Sequence, residues 1–241
     1  MKIVLAIVSN NPIMSTKEKY FNFPVPLLQR FLEDKTKVLD DICDYAIYAH
    51  SLNLDDGTPE ERIRESTDFF CVKILCSEID QIIKGKEIMK KFSVKNPPMV
   101  GINLKLFWDF YANNKTDFEK VTLLGFLAVK SILQQKSYCK ITNNFWLSRM
   151  DGKAKCINEV YELSEPMKKY ANIYQTRKIK SELERNWNLK TVAGRGFNVS
   201  FKMSIDDLTY EVYKKRKKYL DQEIKKSKDE AKKEALRRLY G

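Results

Sequence analysis

The chain has 241 residues, of which 43% are hydrophobic and 12% aromatic. It is too apolar for a wholly disordered protein and long enough for one large or two small domains. Its net charge of +12 is unevenly placed: residues 1–100 carry 14 Lys and Arg against 15 Asp and Glu, and residues 101–241 carry 30 against 17. Five scattered cysteines without a CxxC pair, and the single His50, argue against a disulfide framework and a structural zinc site and fit a reducing, cytoplasmic setting. No run approaches the roughly 18–20 apolar residues that span a bilayer.

With only 8 Gly and 7 Pro, the expected fold is mainly α-helical. The start, Ile3 to Val8, is too short for a signal sequence and reads as a strand or extension over residues 1–13, with Met14 as an alternative initiator. Pro26 fits the start of a helix over Leu27–Leu52. Thr58-Pro59-Glu60-Glu61 combines an N-cap, a proline at the first helical position and a capping-box glutamate, which predicts a helix to about Lys84 that buries Ile63, Phe69, Phe70, Ile74, Leu75 and Ile82 and ends or kinks at Gly85. Asn96-Pro97-Pro98 breaks the pattern, so a boundary is placed there: a helical N-terminal domain over 1–98, a second domain over 99–203 and a basic C-terminal helix over 204–241.

In the second domain, Asn103–Tyr111 reads as a short helix. Thr116-Asp117-Phe118-Glu119 is another capping box and opens a helix over Phe118–Gln135. Tyr138–Ile141 follows as a short strand. Residues 142–163 read as two helical pieces around the turn Asp151-Gly152. Ser164-Glu165-Pro166 begins a helix running to Trp187, in which Ile179, Leu183 and Trp187 repeat at four-residue spacing and are expected to be buried. Leu189–Val192 and Phe197–Phe201 read as two strands with period-two alternation around Gly194-Arg195-Gly196, whose glycines permit positive φ and set Arg195 at an exposed tip. The final helix is capped by Ser204, packs through Leu208 and Val212, and then becomes solvated around Lys214–Lys218.

The candidates for chemistry are few. His50 lacks a nucleophile in a recognised context and reads as structural. Asp40, Asp41 and Asp44 share a helix face at i, i+1 and i+4, which a metal-dependent nuclease would use, but such spacing is common on exposed helices. No P-loop, GxGxxG or HExxH is present. Phe107, Trp108, Phe110 and Tyr111 suit either stacking on bases or, as the favoured reading, an interface core. Lys214–Lys218 suits a solvated face, a nucleic-acid backbone contact, or contact with a partner protein or membrane surface. No cofactor, metal ligand or catalytic group is assigned.

The order helix (Phe118–Gln135), strand (Tyr138–Ile141), helix capped by Thr142-Asn143-Asn144, helix (Tyr174–Trp187) and hairpin resembles winged helix-turn-helix DNA-binding proteins, over about residues 117–202. About 20 residues, Lys153 to Ile173, stand where that superfamily has a short turn, so either a helix is inserted there or the helix after Gly152 is the recognition helix. The resemblance implies a winged-helix-like domain with a small β-hairpin and a non-enzymatic partner role with double-stranded DNA. The residues it assigns to nucleic-acid contact are Thr142, Asn143, Asn144, Arg149, Gln175, Arg177, Lys178, Arg185, Lys190 and Arg195. A regulator or replication initiator of a phage or other mobile element fits this reading. The alternative is a structural or interaction protein, such as a virion-assembly component with a basic DNA- or partner-facing surface. The N-terminal half is expected to offer a protein-partner or homo-oligomer surface, and no membrane partner is expected.

Overall fold

A computed structural model describes residues 18–74, 76–92, 96–194 and 196–240. The expected strand over 1–13 and the apolar position Leu75 lie outside them, as does Arg195. Among the described residues the fold is mainly α-helical with two small antiparallel sheets. It falls into two compact units: one runs to Gln134 and adds Asn143–Trp187, and the other joins Gln135–Thr142 to everything from Asn188 onward. The chain crosses between them after Gln134, Thr142 and Trp187, and not at Pro98, where the sequence suggested a boundary.

The first unit opens with strand β1 (Tyr20–Pro24), a 3-10 turn at Val25–Leu28, and helix α1 (Lys35–Ser51). The expected helix from Leu27 is therefore split. Arg30 takes a positive φ of 65°, and Asp34 starts α1 by accepting a hydrogen bond from the Lys37 N–H. Helix α2 (Pro59–Phe70) carries the capping box expected at Thr58 and Glu61. It stops at Cys71, in the left-handed region at φ 53°, and α3 (Glu78–Phe92) begins after Ser77, whose Oγ accepts from the Asp80 N–H. Only Ile63 and Phe70 of the apolar set expected in one long helix are fully buried there; Phe69 is exposed, and Ile74 and Ile82 are half-buried. Gly85 does not end α3, which runs on to Phe92. It lets α3 approach α1, since a Cβ there would stand 2.3 Å from the Tyr48 Cβ.

Strand β2 (Met99–Asn103) pairs with β1, setting Phe21 opposite Ile102 and Phe23 opposite Val100. The chain on both sides of Pro98 thus shares one apolar core. Helix α4 (Leu104–Ala112), capped by Asn103, adds Phe107 and Phe110 to it; Phe107 meets Phe21 edge-on at 4.8 Å. The rings expected at an interface between domains thus lie in the core of a single unit. Helix α5 (Asp117–Leu133) begins at the capping box of Thr116 and Glu119 and buries most of its length.

Helix α6 (Asn143–Met150) ends at the turn where Gly152 has φ 70°. Residues 153–172 then hold only a 3-10 turn at Val160–Glu162 and the single-turn helix α7 (Glu165–Lys168). The helix expected from Ser164 is interrupted, because Asn172 caps a new one, α8 (Ile173–Asn186), by accepting from the Gln175 N–H at 2.9 Å.

The second unit contains β3 (Cys139–Ile141), β4 (Lys190–Gly194), β5 (Gly196–Ser200) and α9 (Ile205–Tyr240). The sheet order is β3-β5-β4, with both pairings antiparallel. Strand β5 does not alternate as expected. Flanked on both edges, it buries Phe197, Asn198, Val199 and Ser200 in succession. The Ser200 hydroxyl donates to the Ser137 carbonyl at 2.6 Å and accepts from the Lys202 and Met203 N–H groups, which fixes the exit from the sheet. Ser204 caps α9 as the sequence indicates, accepting from the Asp207 N–H.

Candidate nucleic-acid interface

Helix α8 owes its position to an apolar row. Thr176, Ile179 and Leu183 are buried, and Ile179 and Leu183 reach Gly125 of α5 together with Trp146 of α6. The Trp146 indole N–H donates to the Gly125 carbonyl at 3.0 Å. With that row inward, 3.6-residue periodicity turns another face outward: Ile173, Tyr174, Arg177, Lys178, Glu184 and Arg185 are all exposed. Three of the residues assigned to nucleic-acid contact, Arg177, Lys178 and Arg185, therefore lie on one surface of one helix. The Lys178 ammonium sits 4.6 Å over the Phe118 ring, and the side chain stays exposed.

The apolar part of this face was not foreseen. Ile173 and Tyr174 are 69% and 71% exposed on the first turn of α8. The sequence reading placed Ile173 inside a helix continuous from Ser164; instead Asn172 caps a new helix, and Ile173 stands at its exposed first position.

The other assigned residues divide. Thr142 and Asn143 are exposed, and Asn144 is half-buried with its amide donating to the Asn158 carbonyl at 3.0 Å. Gln175 is half-buried on α8. Arg149 is only 9% exposed, with its guanidinium 4.9 Å from the Phe145 ring centre and no hydrogen-bond partner at Nε or Nη1 among the described residues. Burial pulls its pKa below the usual arginine range. Arg149 is thus packed inward from the last turn of α6 and is no part of the exposed basic face.

A basic residue missed in the sequence does link the two helices. The Lys180 ammonium donates to Asn143 Oδ1 at 2.8 Å and lies 5.4 Å from the Trp146 ring centre. Burial pushes its pKa down to about 8, against the upward pull of Glu184. The only sequence signal was a lysine between the buried positions 179 and 183.

Trp187 also differs from expectation. It is half-buried, its ring packing at 4.8 Å on Phe126 of α5 and its backbone N–H closing α8 on the Leu183 carbonyl.

In the second unit, Lys190 is half-buried at the start of β4. Gly196 takes a φ of +86°, as expected of the turn, and a Cβ there would stand 2.4 Å from the Ile141 carbonyl oxygen. Gly194 has no positive φ and open room around it. The run Lys214–Lys218 is exposed on α9, with the Lys215 ammonium 4.4 Å over the Tyr138 ring and the Lys214 ammonium 5.9 Å over that of Tyr210. This unit carries 17 Lys and Arg against 8 Asp and Glu, a net of +9 out of the chain's +12.

The carboxylates considered for metal chemistry are committed to the fold. Asp40 accepts from the Tyr111 hydroxyl at 2.9 Å, Asp41 pairs with Lys37 at 3.0 Å, and Asp44 accepts from the Gln81 amide at 3.0 Å. Among the described residues, no group of three His, Cys, Asp or Glu is placed to hold a metal ion. His50 bonds to the Ser66 hydroxyl at 2.9 Å and stacks on Phe69 at 4.4 Å, a packing role. All five cysteines are free thiols, and no helix among the described residues is long and apolar enough to cross a membrane. No protein-family model, curated protein or solved structure matches the chain.

Proposed function

We propose that this protein binds double-stranded DNA without catalysing a reaction on it, as a regulator or replication initiator would. The observation that carries the reading is the exposed face of α8, where Arg177, Lys178 and Arg185 stand beside Ile173 and Tyr174 on a helix whose opposite row is buried. A helix of this kind offers charged side chains to phosphates and base edges and apolar ones to thymine methyl groups. Support comes also from the order of α5, β3, α6, α8 and the β4–β5 hairpin, on which the likeness to winged helix-turn-helix proteins rests. The net +9 of the second unit adds a large electrostatic contribution to binding a polyanion. Five free cysteines suit a cytoplasmic setting.

The test is selection of the full chain against a library of random duplexes. Enrichment of a recurring sequence whose affinity exceeds that of random duplex by about a thousandfold or more supports sequence-directed binding. Retention without enrichment supports a backbone-directed role. Failure to retain duplex even at low salt overturns the proposal.

A further inference from the structure

Helix α9 is 36 residues long, yet Leu208 is its one fully buried side chain among the described residues. It meets its own unit through its first turns, where Leu208 is buried, Val212 is half-buried and Lys215 lies over Tyr138. At about 100° per residue, these three positions occupy one side of the helix. Tyr213, Leu220 and Ile224 fall on the opposite side and are 63%, 56% and 53% exposed. Ser227 and Ala231 continue that row at heptad spacing.

We infer that this row is the seam of a parallel, in-register coiled coil with a second copy of the chain. With Lys217, Ile224 and Ala231 at position a and Tyr213, Leu220 and Ser227 at position d, the flanking positions select the partner. Arg216 and Glu223 take position g, and Asp221 and Lys228 take position e. In a parallel dimer each g residue faces the e residue five places on in the other helix. Arg216 then meets Asp221 of the second copy, and Glu223 meets its Lys228. Symmetry repeats both attractions. An antiparallel pairing centred between Leu220 and Ile224 would instead set Glu223 against Glu223 and Asp221 against Asp221, so the charges oppose it. A lysine at one a position, here Lys217, favours a two-stranded coil at a cost in stability. The small Ser227 and Ala231 keep the seam modest, so association depends on concentration. The inference stands apart from DNA binding.

Sedimentation of the full chain across a concentration series tests it, with no DNA present. The expected result is a monomer–dimer equilibrium that Leu220→Lys/Ile224→Lys weakens roughly a hundredfold. Both side chains lie beyond the sheet contact, so at concentrations where the wild type is monomeric the variant should keep its melting profile. A gentler pair isolates the charges. Glu223→Lys should weaken the dimer about fivefold, and Glu223→Lys/Lys228→Glu should restore it. Orientation is read from Ile224→Cys, whose oxidation should yield a 224–224 linked peptide by mass spectrometry. A chain that stays monomeric to about 100 μM, a dimer indifferent to the Leu220 and Ile224 changes, failure of the charge swap to rescue, or a dimer without the 224–224 link would each overturn the inference.

Discussion

The Lys180 ammonium donates a 2.8 Å hydrogen bond to the side-chain oxygen of Asn143, so the middle of α8 is tied to the first residue of α6. The bond holds a partly buried charge whose pKa is lowered to about 8. A lysine with a lowered folded-state pKa binds its proton less tightly in the native chain than in the unfolded one. Its destabilising contribution is therefore complete below about pH 8, and stability recovers as pH rises from about 8 toward the ordinary lysine value of about 10.5. Denaturant unfolding of wild type and Lys180→Met across pH 7–10.5 should show a rise in the wild type that the variant lacks. Parallel pH profiles would contradict the assignment.

Trp146 supports the α5–α6–α8 cluster by packing and by its bond to Gly125. Trp146→Ala should cost about 3–5 kcal/mol, and Trp146→Phe, which keeps most of the ring, about 1–2 kcal/mol. Chemical denaturation measures both. Equal losses would mean that the indole hydrogen bond to Gly125, absent from both variants, and not the packing of the ring, decides stability there.

Trp187 is half-buried against Phe126, so Trp187→Ala should cost about 2 kcal/mol, less than Trp146→Ala. A loss as large as that of Trp146 would show that its surroundings are more enclosed than the structure indicates.

The two glycines of the hairpin should behave differently. Gly196→Ala forces a side chain into a positive φ and within 2.4 Å of the Ile141 carbonyl oxygen. It should cost about 3 kcal/mol. Gly194→Ala has room and an ordinary φ and should stay within about 0.5 kcal/mol. Thermal melts of the two variants compare them directly.

Much of the fold was legible where the chemistry is local. The capping boxes at Thr58 and Thr116, the cap at Ser204 and the turn at Gly196 require only residues a few places apart. The breaks at Cys71 and Asn172 were missed because apolar spacing continues across them, while Ser77 and Asn172 supply caps that a periodicity reading passes over. The pairing of β1 with β2 joins residues some 80 apart in sequence, and no local pattern announces it. In the site, α8 and its outward Arg177, Lys178 and Arg185 followed from spacing. Burial of Arg149 did not, because an arginine ending a short helix looks exposed until Phe145 covers it. Exposure of Ile173 escaped because a helix read as continuous from Ser164 leaves no cap at Asn172 to place it on a first turn.

Salt dependence of duplex binding by the full chain tests the account most directly. Titrations of wild type, Arg177→Ala and Lys178→Ala between about 50 and 200 mM salt measure how many phosphate charges are neutralised. The account predicts a steep wild-type decline in affinity. Each alanine variant should reduce the slope by about one where its residue meets a phosphate, or cost about 1–3 kcal/mol at one base pair where it reads a base edge. A wild-type chain whose affinity for duplex is absent at low salt, or variants that bind as wild type does in both respects, would contradict it.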